Sequence, residues 1–215
     1  MLKEKSLREV QVLIERYPAL DYLRSELMSA IERLVQCAEN EGKILVCGNG
    51  GSAADSLHIV GELMKSFILK RKMPASWQDK LRTQFPHHAD YYIDHLQGAI
   101  PAISLVNEVG LMTAYSNDNA ADLVFAQQVL GYGRAGDVLL AISTSGNSDN
   151  VLHAARIAKT IGLDVLSMTG AGGGKLRDLS DVLLAVPSSV TYQIQEYHLP
   201  VYHAICRAME AELFE

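Results

Sequence analysis

The chain has 215 residues, 48% of them hydrophobic, and a formal net charge of −6 at pH 7. This length suffices for one domain with a full core, and the acidic balance argues against nucleic-acid binding, which relies on clustered Lys and Arg. No charge-free run reaches the ~20 residues of a membrane helix, and no apolar signal segment follows the amino terminus. We therefore expect neither a membrane nor a nucleic-acid partner.

The cysteines are widely spaced and form no CxxC pair: Cys37, Cys47 and Cys206. This pattern favours a reducing compartment, the cytoplasm, over a disulfide framework or a structural zinc site. Cys47 adjoins a glycine-rich turn, but no nearby histidine in the sequence would activate it as a nucleophile.

In chain order, residues 7–40 predict two helices broken near Tyr17-Pro18, the second with apolar residues at three- and four-residue steps. Such an arm packs either on a partner subunit or on its own domain, and the sequence leaves both open. A first strand is predicted over 43–46. After it, Gly48, Gly50 and Gly51 allow the backbone a tight turn and a close approach to a ligand.

The helix that opens after this turn has an N-terminus suited to a phosphate, because its first N–H groups have no partner within the helix. His58 and Glu62 lie four residues apart on that helix and leave from one face. One segment therefore offers an anion cradle and an acid–base or metal-ligand pair.

Residues 68–98 form the least regular part of the chain. His87, His88 and His95 invite a metal site, but no carboxylate–histidine spacing there resembles a known ligand set, so we favour an exposed insertion with a short helix over 87–96. We expect the basic triplet Lys70-Arg71-Lys72 to form a solvated face.

Four further apolar runs predict strands over 99–105, 138–142, 164–169 and 182–186, with helices over 108–115, 121–130, 149–161 and 192–212. The alternation predicts an α/β fold, a doubly wound five-stranded parallel sheet flanked by helices with right-handed crossovers. The chain would form a single domain over 1–215, with an N-terminal helical arm over 1–40 and a helical insertion over 68–98.

The third strand runs into Ser-Thr-Ser-Gly-Asn-Ser at 143–148, just before a helix. Ligands of open α/β sheets lie at such strand ends, and helix capping needs only one of these residues, so we predict a phosphate site. Residues 170–175 fail the nucleotide-binding P-loop pattern, because Thr169 and Leu176 stand where Gly and Ser or Thr belong; a flexible turn is expected there. In the last helix, Pro200 should remove a hydrogen bond and introduce a kink.

These segments resemble the sugar isomerase (SIS) domain, and in particular the sedoheptulose 7-phosphate isomerases (phosphoheptose isomerases, GmhA type). The resemblance covers nearly the whole chain except 68–98. It rests on both loops and on the pattern Gln195-Glu196-x-His198-x-x-x-x-His203, together with the His58/Glu62 pair, Asn117-Asp118 and residues 136–140.

The resemblance implies a cytoplasmic homotetramer with active sites between subunits, and conversion of sedoheptulose 7-phosphate to D-glycero-D-manno-heptose 7-phosphate. It implies Glu62 and His203 as the catalytic acid–base pair. A zinc ion, one per subunit, would be held by His58, Glu62, Gln195 and His203. The phosphosugar would contact residues of both loops and their neighbours: Asn49, Gly50, Gly51, Ser52, Asn117, Asp118, Ser143, Thr144, Ser145, Ser148 and Gln195.

Two departures from the family pattern leave alternatives open. Ser66 stands near the usual position of an arginine, and Thr191-Tyr192 stands where an acidic residue precedes the Gln195 segment. An isomerase for a different phosphosugar therefore remains an alternative. A second alternative is a non-catalytic SIS tetramer that binds a replication-initiator protein (DiaA-like), although that protein lacks the equivalents of Glu62 and His203.

Overall fold

The computed structural model describes residues 2–214, and its centre is a five-stranded parallel sheet in the order β2-β1-β3-β4-β5. The strands are β1 (Ile44–Gly48), β2 (Ala102–Ser104), β3 (Val138–Ile142), β4 (Asp164–Gly170) and β5 (Val182–Val186). Gly48 pairs with Ile142, so the loops that follow β1 and β3 start side by side. The predicted α/β sheet is confirmed.

Nine α-helices are assigned within the described residues: α1 (Glu4–Arg16), α2 (Arg24–Glu39), α3 (Gly51–Met64), α4 (Ala75–Gln84), α5 (Ala89–His95), α6 (Val109–Asp118), α7 (Val124–Tyr132), α8 (Asp149–Thr160) and α9 (Thr191–Phe214). Short 3₁₀ helices occupy Pro18–Leu23, Ala121–Leu123 and Gly174–Leu179. The predicted break between the first two helices is present, because Pro18 opens the 3₁₀ segment. Helix α9 runs on past Pro200.

Side chains that alternate along the strands build two apolar layers. Ile44 and Val46 belong to the cluster packed against α1, α2 and α9, whereas Leu45 and Cys47 belong to the cluster packed against α7 and α8. All five positions of β1 are buried, as expected of a parallel strand covered by helices on both faces.

The N-terminal arm packs on its own chain. Ser6 Oγ donates a hydrogen bond of 3.1 Å to the Ala208 carbonyl of α9, and Arg207 pairs with Glu9 at 2.6 Å. Of the two arrangements that the sequence left open, the structure therefore shows the arm seated on the final helix.

The insertion contains one helix more than predicted, because α4 precedes the short helix α5. Helix α4 has no buried residue. The prediction that the basic triplet 70–72 is solvated is wrong for its central residue. Arg71 is 1% exposed, and its guanidinium donates to Glu210 at 2.7 Å. Burial of an arginine requires such a partner, and that partner lies 139 residues away in the chain.

The three cysteines are free and buried. Among residues 2–214, no helix has the length and apolar character needed to cross a membrane.

Candidate active site

The predicted phosphate loops meet where the strand order changes direction. The chain moves from β1 outward to β2 on one side and to β3 on the other, and ligands of doubly wound sheets bind in the crevice at this point. A reciprocal amide pair joins the two loop regions, since Asn49 and Asn150 exchange hydrogen bonds of 2.8 and 2.9 Å. The geometry brings the first turns of α3 and α8 together.

The turn after β1 needs its glycines for two different reasons. Gly50 has a φ of 55°, in the left-handed region that disfavours side chains. At Gly51 a Cβ would displace the side-chain amide of Gln195 from its present position. Helix α3 begins at Gly51, and buried Ser52 is its second residue.

The loop after β3 is hydrogen-bonded to residues 170–175, at the end of β4 and just after it. Ser143 Oγ and Ser148 Oγ lie 3.0 Å apart, so the hydroxyls converge. Gly170 N–H donates to the Thr144 carbonyl at 2.9 Å, and Lys175 N–H donates to Asn147 Oδ1 at 3.0 Å. A turn follows β4, as expected over 170–175, and these hydrogen bonds tie the segment to the predicted phosphate loop.

The predicted acid–base residues cluster between α3 and α9. His58 Nε2 lies 3.5 Å from Glu62 Oε1, and the His58 and His203 rings are 5.0 Å apart between centroids. Phe67 covers His203 from the other side, with ring centroids 5.3 Å apart. The His58/Glu62 pair of α3 and His203 of α9 therefore lie in one cluster.

The electrostatics of this cluster favour a neutral His203 beside Glu62. Lys65 Nζ lies 2.8 Å from Glu62 Oε2 and supplies a positive charge to a carboxylate that is 9% exposed. Burial lowers the pKa of His203, and nearby His58 and Arg207 add to that shift against the carboxylate of Glu62. An uncharged imidazole is able to accept a proton.

The donor types fit a zinc ion, since imidazole nitrogens and a carboxylate are its usual ligands. His203 Nε2 is buried without a hydrogen-bond partner among residues 2–214. Within the same residues, however, no three His, Cys, Asp or Glu side chains are close enough to hold a metal ion. The single chain supplies suitable donors and leaves them short of a complete ligand set.

Of the remaining predicted site residues, some lie near the two loops and others do not. Gln195 approaches the turn at Gly51. Asn117 and Asp118 are exposed in the last turn of α6, where Asn117 Nδ2 donates to Asp118 Oδ1 at 2.8 Å; we expected that polar run to follow the helix. His198 is fully buried, donates to the Thr169 carbonyl, and has a pKa lowered by burial to about 4, as suits a packed core residue.

Sequence reasoning missed several neighbours of the cluster. Tyr202 OH lies 2.9 Å from His58 Nδ1 and 3.4 Å from Asp55 Oδ1. Asp55 could have been found, because it precedes His58 by three residues on the same helical face. No local pattern marks Tyr202. Burial raises the pKa of the Cys47 thiol to about 12, in agreement with its exclusion as a nucleophile.

Comparison with known proteins identifies the family to which the chain belongs. The family model for the SIS domain matches residues 7–80 and 94–170. The phosphoheptose isomerase of Helicobacter pylori (strain P12) is 40% identical over 192 residues, which are 89% of this chain and 86% of that protein. The chain belongs to the phosphoheptose isomerase family of SIS-domain proteins.

Solved structures of this family share the whole architecture. The phosphoheptose isomerase GmhA from Neisseria gonorrhoeae aligns with a TM-score of 0.71 and 35% identity, covering 96% of this chain and 93% of that one. The phosphoheptose isomerase from Francisella tularensis aligns with a TM-score of 0.72 and 30% identity, covering 94% of each chain. The stretch 81–93, which the SIS model leaves unmatched, lies within the insertion.

Proposed function

We propose that this protein is an aldose–ketose isomerase that converts sedoheptulose 7-phosphate to D-glycero-D-manno-heptose 7-phosphate. The observation that carries the proposal is the grouping of Glu62 and His203 in one cluster, in a chain whose phosphate loops are intact. Relatives at 37–40% identity carry the name phosphoheptose isomerase.

The reaction moves a proton between adjacent carbons through an enediol and therefore needs proton acceptors and donors near the carbon pair. Glu62 would transfer the carbon-bound proton, because its partly buried carboxylate lies within 3.5 Å of His58 and 2.8 Å of Lys65. His203 would serve the oxygens and ring opening, since its lowered pKa leaves it neutral. The two roles are interchangeable by chemistry alone.

A zinc ion is part of the proposal, with His58, Glu62, Gln195 and His203 as the residues that would hold it. Gln195 lies at the Gly51 turn, away from Glu62 on α3, so another subunit would supply it. When bound, it would polarise the substrate carbonyl. The unpaired Nε2 of His203 is the atom that most needs such a partner.

A homotetramer in the cytoplasm is the assembly that we propose, with active sites between subunits. Glu62 lies ten residues beyond Ser52 on α3, a distance of about 15 Å along the helix axis at 1.5 Å per residue. One substrate must therefore reach across almost three turns of the helix if both residues act within a single chain. Phosphate loops of one subunit acting with Glu62 of another would shorten that reach. The buried, unpaired cysteines suit a reducing compartment.

The experiment is an NMR assay of the purified protein against a panel of ketose phosphates, with and without added zinc. We expect turnover of sedoheptulose 7-phosphate and faster turnover with zinc. Phosphosugar binding without turnover of any panel member would instead support the non-catalytic scaffold.

Turnover confined to another phosphosugar would support the second candidate. Two observations favour it: Ser66 Oγ is occupied as an acceptor for the Arg71 N–H at 3.1 Å, and Tyr192 is 60% exposed at the start of α9. Neither residue supplies the charge that the family has at these positions.

A further inference from the structure

Tyr202 joins two residues of α3, Asp55 and His58. Its hydroxyl lies 2.9 Å from His58 Nδ1 and 3.4 Å from Asp55 Oδ1. The Tyr202 residue is 2% exposed, so the hydroxyl is fixed between an imidazole nitrogen and a carboxylate. Asp55 Oδ2 is buried and has no hydrogen-bond partner within residues 2–214.

The direction of these hydrogen bonds follows from what each group is able to do. An ionised carboxylate only accepts, and a hydroxyl has one proton to donate. If Tyr202 donated that proton to His58, the Asp55 carboxylate would be left partly buried with no donor, which is the more costly choice. The hydroxyl therefore donates to Asp55 and accepts from His58 Nδ1–H.

We propose that Asp55 and Tyr202 act as a relay that fixes the tautomer of His58, with the proton on Nδ1 and Nε2 free toward Glu62 and His203. Asp55 and Tyr202 are positioning residues, since they act through His58. His58 Nε2 is then the nitrogen that takes up a proton or a metal ion.

The arrangement has a functional consequence that rests on the proposed isomerase. Glu62 Oε1 competes for a proton on Nε2, but that contact is 3.5 Å long, against 2.9 Å between Nδ1 and the Tyr202 hydroxyl, so the shorter hydrogen bond places the proton on Nδ1. With the opposite tautomer, the ring would present no lone pair to the cluster. Partners of this kind orient histidines at many sites, and their loss typically lowers activity or metal affinity about 10–100-fold.

The first test is long-range ¹H–¹⁵N NMR of the metal-free, ¹⁵N-labelled protein at alkaline pH, where imidazoles are neutral. The His58 signals are assigned by their loss in His58→Gln. We expect a protonated Nδ1 in the native protein. Asp55→Asn should invert the pattern, because its amide N–H can donate to the Tyr202 oxygen and turn the hydroxyl proton toward Nδ1. Tyr202→Phe should give a mixture of tautomers.

Kinetics of the zinc-supplemented protein supply the second readout. Tyr202→Phe and Asp55→Asn should lower kcat about 10–100-fold with little change in KM. Tyr22→Phe is the matched control, because it removes a hydroxyl bonded to the Ala185 carbonyl, remote from the cluster, and should leave kcat and the His58 spectrum unchanged.

A native His58 protonated on Nε2, or a tautomer that Tyr202→Phe does not alter, would overturn the relay whatever the activity. The expected tautomers in a protein that isomerises no phosphosugar would support the relay and refute the proposed function. The two failures are therefore distinguishable.

Discussion

At the scale of single residues, the crevice depends on a missing side chain as much as on those present. Gly51 leaves room for the Gln195 amide, which a Cβ would strike. Gln195 thereby reaches the glycine turn from the final helix, 144 positions later in the numbering. From the sequence, glycine at this position was expected to allow close approach of a ligand. The structure shows that the Gln195 side chain of the same protein also lies close to it.

We expect Gly51→Ala to lower kcat/KM by at least tenfold, because Gln195 must move away from the turn. The measurement is steady-state kinetics with the best substrate of the panel. Gly131→Ala is the matched control: its Cβ meets nothing within 4 Å in helix α7, and alanine there should stabilise the fold by about 0.5–1 kcal/mol. Equal activity of both variants would contradict the role of Gly51.

Glu62→Gln and His203→Ala should each reduce turnover by at least about 100-fold, the scale of general acid–base catalysis. Glutamine keeps the size of Glu62 and removes its proton affinity, so loss of kcat without loss of fold isolates the chemistry. Circular dichroism checks the fold and NMR checks turnover. If both variants turned over substrate at the native rate, the proposed mechanism would be wrong.

At the scale of elements, a buried ion pair anchors the end of α3 that carries Glu62. Arg71 donates to the carbonyls of Leu63 and Glu62 at 2.7 and 2.9 Å, and to Glu210 of α9. Glu210 also accepts the N–H groups of residues 67–69. The pair therefore joins helix α3, the start of the insertion and helix α9.

Glu210→Gln should destabilise the protein by about 3–5 kcal/mol at pH 7, because it leaves Arg71 buried without its counter-ion. Urea unfolding at fixed protein concentration measures this. Glu39→Gln, at an exposed position of α2, is the control and should stay within about 0.5 kcal/mol of the native value.

The effect of Glu210→Gln should depend on pH. Burial raises the pKa of Glu210, but the N–H groups of residues 67–69 and Arg71 outweigh it, and the pKa is lowered overall. The carboxylate therefore stabilises the fold fully above the unfolded pKa of about 4.3 and loses that contribution as pH falls through the folded pKa. The native–variant difference should shrink on acidification from pH 5 to pH 3; a constant difference would refute this account.

At the scale of the whole molecule, parts of the surface suit a partner subunit. Helix α6 has no buried residue, and Val109 at its start is 66% exposed. Light scattering should give four times the chain mass of 23.5 kDa. A mass of one chain in active protein would contradict sites shared between subunits.

Complementation tests the shared site directly. Glu62→Gln and Gly51→Ala chains, each impaired as a homotetramer, should show more turnover when co-expressed than either variant alone, because some mixed sites would combine a native loop with a native Glu62. Sites built within one chain would show no such rescue, and tagged pull-down of mixed tetramers would exclude failure to mix.

Local patterns in the sequence determined the strands, both loops predicted to bind phosphate and the His58/Glu62 pair, since apolar runs, glycine turns and i,i+4 spacing act over a few residues. Only the tertiary structure decided that Arg71 is buried, that residues 170–175 support the phosphate loop, and that Tyr202 contacts His58. Tyr202 and His58 are 144 positions apart in the chain, and Arg71 and Glu210 are 139 positions apart. Which distant side chains meet is fixed by how the helices pack on the sheet, and no local periodicity encodes it.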